Sequence, residues 1–208
     1  MNTDAKSAKK TVQGNADKYD SFRILMARYK KASQQGFYFE MIWILYAMFE
    51  DRTSAFLYYA GFVNEDRHKV VGDKNIQQSI RGVLKLGEKA TFDFGTLYGK
   101  TLAIKKAAAW AQKATPSGEY QKELKLLLNR KAICSPEFAQ CLDGIDFWRD
   151  KRNGLTHALF STKSYEMAQE LKPLAEQGYQ LARTLDNAVS ALRRRDQKNS
   201  IRKMFNLK

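Results

Sequence analysis

Large apolar residues recur at steps of three and four along most of the chain, the spacing of one face of an α-helix rather than the alternation of a strand. Over residues 20–32, Phe22, Leu25, Met26 and Tyr29 take one side while Arg23, Arg28, Lys30 and Lys31 take others, which predicts an amphipathic helix ended by Ser33-Gln34-Gln35-Gly36. Residues 37–62 are apolar nearly all round and predict a central helix on which the others pack. One stripe departs from this. At about 100° per residue, Glu40, Ile44, Ala47, Asp51, Ser54 and Tyr58 share a side, so acids and hydroxyls recur along an otherwise buried helix and need partners, most simply cations.

The same periodicity continues. Residues 75–86 carry Ile76, Ile80, Val83 and Leu84 on one face, with Gly87 as a stop. Residues 91–101, with Gly95 and Gly99, read as a turn region, and residues 102–113 are Ala- and Lys-rich enough to be helical. Thr115-Pro116-Ser117-Gly118 is a break, and residues 119–132 form a Leu-rich helix after it. Ser135-Pro136-Glu137 then supplies an N-cap, a first-turn proline and an acid at the positive end of the helix dipole. The helix begun there passes Phe138, Leu142, Ile145 and Trp148, and Gly154 predicts a kink or local break in it. Residues 164–195 outline a long closing helix that Pro173 should start or kink. The expected class is all-α: residues 1–18 a flexible basic leader, 19–195 a single helical domain, and 196–208 a basic tail.

Composition agrees with one helical domain. The chain has 208 residues, 44% of them hydrophobic, with 12 Gly and 3 Pro, too few breakers for a strand-and-turn fold. Lys and Arg number 36 against 22 Asp and Glu, and the net charge of +14 makes a polyanion the natural partner: RNA, DNA or an anionic membrane surface. The apolar run from Phe37 to Phe49 contains Glu40 and is closed by Glu50-Asp51-Arg52, well short of the roughly 20 residues a spanning helix needs. The N-terminal residues lack an apolar signal region, which makes the cytoplasm the expected location. Cys134 and Cys141, with His68 and His157, show no zinc-ligand spacing, so no metal and no cofactor is expected.

One segment carries candidate chemistry. Arg152-Asn153-Gly154-Leu155-Thr156-His157 places an arginine five positions before a histidine, with a polar residue directly after the arginine. That pattern resembles the R-x4-6-H signature of the HEPN family. Upstream, Tyr38-Phe39-Glu40 through Tyr46-Ala47-Met48-Phe49-Glu50-Asp51-Arg52 is similar to the early helix of that family, whose acidic residues approach the Arg/His motif. The likeness spans residues 20–195 in helical layout, although its specific part is confined to these two stretches. It implies a HEPN-like helical bundle with a long central and a long C-terminal helix. It also implies a metal-independent endoribonuclease acting as a homodimer, with two motifs facing one cleft, one histidine as base and the other as acid. The setting implied is a toxin–antitoxin pair or phage defence, with an antitoxin or nucleotidyltransferase as a further partner. The alternative is a HEPN domain that binds RNA, a nucleotide or a protein without turning anything over.

The residue types suit that chemistry on their own terms. An imidazole such as that of His157 exchanges a proton near neutral pH, and a guanidinium such as that of Arg152 holds phosphate oxygens bidentately. RNA brings its own nucleophile, the 2′-hydroxyl, so a site need only take that proton, protonate the leaving 5′-oxygen and stabilise charge on the phosphate. Asn153 shares a face with His157 only if the segment stays helical. Glu40 or Asp51 could anchor Arg152. Arg149 and Lys151 beside the motif, and Arg193, Arg194 and Arg195 near the C-terminus, are candidate phosphate contacts, although a solvated charge run reads the same way. Arg52, flanked by acids, reads as a structural ion pair. His68 lies in a charged stretch and receives no role. Trp43, Trp110 and Trp148 suit a core or a base-stacking surface, and sequence leaves both open.

Overall fold

The computed structural model describes residues 15–65, 67, 69–158, 164–199 and 201–207, and for 15–22, 158, 164–168 and 195–199 the backbone alone. Nine helices occur among them: α1 Asn15–Gln35, α2 Tyr38–Tyr59, α3 Lys74–Leu84, α4 Leu97–Lys113, α5 Glu119–Leu128, α6 Lys131–Cys134, α7 Pro136–Ala158, α8 Ser164–Asn199 and α9 Ile201–Met204. The described chain is all-α, its one β feature an isolated antiparallel bridge between Val63 and Val70. No helix among the described residues is long and apolar enough to cross a membrane.

The apolar character of α2 is spent on three sides. It packs most extensively on α8 and then on α1 and α4, while α7 lies along α8. Leu45, Phe49 and Phe56 of α2 are fully buried, as is Trp148 of α7, and each such side chain contributes on the order of 1.5–3 kcal/mol of transfer free energy. Phe49 meets Trp148 edge to face at 5.0 Å, and Phe56 stacks on Phe138 at 5.8 Å. The Trp148 indole N–H donates to the Leu174 carbonyl at 2.8 Å, which satisfies the one polar atom of a wholly buried ring. At Gly178 a Cβ would stand 2.6 Å from Trp148 Nε1, so glycine is what lets α8 approach the indole.

Several expectations change. Helix α4 starts at Leu97, not at residue 102: Thr96 caps it by accepting from the Gly99 N–H at 2.9 Å, and a Cβ on Gly99 would lie 2.1 Å from the Asp93 carbonyl. Gly99 thus serves a close approach at a helix start and not a turn. Helix α7 does not break at Gly154 and continues to Ala158. Helix α8 runs through Pro173 and past residue 195.

The basic tail expected over 196–208 is instead packed where it is described. Ile201 and Leu207 are 5% and 8% exposed and sit against Gly61. Arg202 donates to the Val63 carbonyl at 2.7 Å and the Leu207 carbonyl at 2.9 Å, and its guanidinium lies 3.9 Å over the Tyr58 ring. Three apolar residues, Ile201, Phe205 and Leu207, outweigh the surrounding charge because they can reach a core. At the other end, α1 begins at Asn15, inside the segment expected to be a leader.

Candidate functional site

Because α7 stays helical to Ala158, Arg152, Asn153 and His157 occupy its last two turns. Asn153 and His157, four apart, share a face. Arg152 and His157, five apart, are turned about 140° from one another with a rise of about 7.5 Å. Arg152 is half-buried, turned towards α2, and His157 is exposed. No hydrogen bond to the imidazole is found among the described residues. Thr156 returns its hydroxyl to the Arg152 carbonyl at 2.9 Å, a bond within the helix.

The Arg152 guanidinium carbon stands 4.3 Å from the Trp43 ring centre and 4.2 Å from that of Tyr46. Its Nη1 donates to Asn153 Oδ1 at 2.9 Å, and its Nε is buried with no acceptor. No carboxylate pairs with it among the described residues. The two ring contacts each contribute roughly 0.5–2 kcal/mol without neutralising the charge. Below them the Tyr46 hydroxyl donates to Glu50 Oε1 at 3.1 Å, and Glu50 pairs with Lys100, whose side chain is 5% exposed. Burial, followed by the Glu50 charge and hydrogen bond, raises the Tyr46 phenol above its ordinary value, so the ring stays a neutral donor.

Neither acid expected to anchor Arg152 does so. Glu40 faces Arg28 at 3.5 Å, while Asp51 pairs with Arg52 and, at 3.1 Å, with Arg67. Their stripe does meet cations, as its polarity required, but on another side of α2 from Arg152. The support comes from the adjacent stripe, Phe39, Trp43, Tyr46 and Glu50, at steps of four, three and four. That spacing was the signal in the sequence, one residue out of phase with the stripe that drew notice for its acids.

The basic candidates divide. Arg149 is committed to Asp146 at 3.2 Å and Asp150 at 2.8 Å, with its guanidinium 4.8 Å over Tyr98. Asp146 also accepts from Thr101 and Lys105, both at 2.7 Å, which ties α7 to α4 under the site. Lys151 is exposed, 5.6 Å over Phe147, and forms no ion pair among the described residues. Arg193 and Arg194 are exposed near the end of α8 and touch neither Arg152 nor His157. The side chain of Arg195 and the whole of His68 lie outside the described residues. Arg52 forms the structural ion pairs expected, to Asp51 and, at 3.0 Å, to Asp186.

Of the three tryptophans, Trp148 and Trp110 are core, 0% and 9% exposed, whereas Trp43 is 44% exposed. Among the described residues no group of three or more His, Cys, Asp and Glu could hold a metal ion. A cleft of about 250 Å³ between α4, α6 and the first half of α7, bounded by Lys105, Ile133, Phe138 and Asp143, lies away from the motif. No family model, no curated protein and no solved structure matches this chain.

Proposed function

We propose that this chain is a metal-independent endoribonuclease of HEPN type, with Arg152 and His157 as its reacting pair. The observation that carries the reading is Arg152: a half-buried guanidinium against two aromatic rings, without a carboxylate among the described residues, on the helix whose last turn exposes His157. Such a group is prepared for an anion that is not part of the chain.

In the reaction, Arg152 donates to non-bridging oxygens of one RNA phosphate. One His157 takes the proton of the adjacent 2′-hydroxyl, whose oxygen attacks phosphorus. The P–O5′ bond breaks, and the departing 5′-oxygen takes a proton from a second, protonated His157, leaving a 2′,3′-cyclic phosphate and a free 5′-hydroxyl. The second imidazole comes from a second copy of the chain, because each copy carries a single His157. Asn153, bonded to Arg152 and on the His157 face, orients the arginine. The HEPN likeness supplies the dimer and the setting of a toxin–antitoxin pair or phage defence.

The angle between Arg152 and His157 favours a second reading, a HEPN domain that binds RNA through Arg152 without cutting it. Incubation with mixed RNA in EDTA separates the two. Wild-type protein is expected to leave 2′,3′-cyclic phosphate ends, His157→Ala to leave none, and Arg152→Ala to cut about 10²–10³-fold more slowly. Cleavage that survives in His157→Ala rejects the catalytic assignment, and binding without cleavage selects the second reading.

A further inference from the structure

Trp43 is the exposed large hydrophobic residue of α2, whose other large side chains are buried or half-buried. It is held in place nonetheless. Phe39 meets it edge-on at 6.2 Å and 70°, Tyr46 at 6.5 Å and 76°, and Arg152 covers one face at 4.3 Å. Arg152 lies over one face, and 44% of the residue remains exposed to solvent. A large apolar surface fixed in this way has already lost the rotamer freedom that binding would otherwise cost.

The surroundings say what fits it. Arg152 beside the indole meets no carboxylate among the described residues, and on α7 Lys151 lies exposed over Phe147, itself 54% exposed. An exposed aromatic ring beside a cation without a carboxylate matches an unpaired nucleotide, in which a planar base adjoins a phosphate. A duplex presents its phosphates but keeps its bases stacked inside. An acidic peptide would use the cations and leave the flat ring uncovered.

We propose that Trp43 is a stacking platform for an unpaired nucleobase next to the phosphate held by Arg152, and that it favours a purine there. This rests on the reading of Arg152 as a phosphate-binding group but not on cleavage. A purine covers more of the indole than a pyrimidine does, and stacking strength of this kind sets modest base preferences without hydrogen-bond readout.

Tryptophan emission tests it, since Trp43 is the exposed indole of the three. The whole protein is titrated with single-stranded oligodeoxyadenylate, with oligodeoxycytidylate and with an A·T duplex, none of which carries the 2′-hydroxyl that cleavage needs. Oligodeoxyadenylate is expected to quench the exposed emission and to bind several-fold more tightly than oligodeoxycytidylate, the duplex giving little quenching. Trp43→Leu should lose about tenfold in affinity for oligodeoxyadenylate, or roughly 1.4 kcal/mol, and Trp43→Phe should recover part of it.

Saturation without a change in Trp43 emission overturns the platform, as does equal quenching by the duplex. Emission that shifts on dilution of the protein alone means that a second copy covers the ring, and overturns it too. Quenching by oligodeoxyadenylate in a protein that cuts no RNA leaves the platform standing and removes the nuclease, so the two failures are told apart.

Discussion

Two glycine-to-alanine substitutions, 24 residues apart, are expected to act in opposite directions, and the contrast tests the helix on which the site depends. Gly154 is exposed inside α7, and a Cβ there meets nothing within 4 Å. Neither it nor Gly178 is among the positive-φ glycines, which are Gly36 and Gly61. Gly154→Ala therefore gains the helix propensity of alanine without a steric cost, and should stabilise the protein by about 0.5–1 kcal/mol. Gly178→Ala gains the same propensity but places its Cβ 2.6 Å from Trp148 Nε1, 2.9 Å from Cε2 and 3.0 Å from Leu45 Cδ1.

Trp148 cannot move aside freely, because it is fully buried against Phe49 and anchored to the Leu174 carbonyl. Overpacking of a core costs roughly 1–3 kcal/mol, which after the propensity gain leaves a net loss of up to about 2.5 kcal/mol. Urea unfolding followed by circular dichroism at the helical band measures both, with unchanged m-values as the control. At roughly 2–4 °C per kcal/mol for a domain of this size, the melting temperatures should also separate in opposite directions. If Gly154→Ala is neutral or destabilising, α7 does not remain helical through the Arg/His segment, and the shared face of Asn153 and His157 is lost with it. If Gly178→Ala stabilises, the close approach of α8 to Trp148 is wrong.

Two further outcomes are expected. Burial pushes the Cys141 thiol up to about 12, so the native state holds that proton more tightly than the unfolded chain does. Its contribution is complete below the ordinary thiol range near about 8.5 and is lost as pH climbs towards 12, at about 1.4 kcal/mol per tenfold change in proton affinity. Urea midpoints at pH 8 and pH 10.5 should fall further in wild type than in Cys141→Ala, and parallel falls refute the linkage. Ending the chain at Asn199 removes Ile201, Arg202 and Leu207 from the Gly61 and Tyr58 surface, at an expected cost of about 3–6 kcal/mol from the two aliphatic side chains. A truncated protein with an unshifted urea midpoint would show that this segment does not pack.

The helices were legible because apolar periodicity is a local property. The apolar girdle of α2 announced a central helix, and Ser135-Pro136-Glu137 marked the start of α7 at Pro136. What sequence hid depends on contacts between distant residues. Nothing local says that Gly99 lies against the Asp93 carbonyl, and a glycine without that fact reads as a turn. The C-terminus hid in the same way, since charge dominates its composition while three apolar residues decide its place. The Arg/His motif was legible as a pattern, but its support was not. Sequence pointed to the stripe with the acids, whereas Arg152 meets the stripe one residue earlier, a rotation of about 100°.

That rotation matters for what Arg152 can do. Arg52, Arg67 and Arg149, all partly or mostly buried, meet carboxylates, and Arg202 meets carbonyls. A carboxylate engages a guanidinium in its plane and uses the same N–H groups that would hold a phosphate. Had Glu40 or Asp51 paired with Arg152, the charge would have been neutralised and the donors spent. Aromatic rings instead offset part of the cost of burying the cation without neutralising it. Asn153 takes a single Nη1 proton and carries no charge. The acid at this position, Glu50, is held one residue away by Tyr46 and by Lys100, which lets the ring be anchored without a carboxylate reaching the guanidinium. The arrangement keeps a positive charge fixed, half-buried and unneutralised, and such a group is stabilised most by an anion brought from outside.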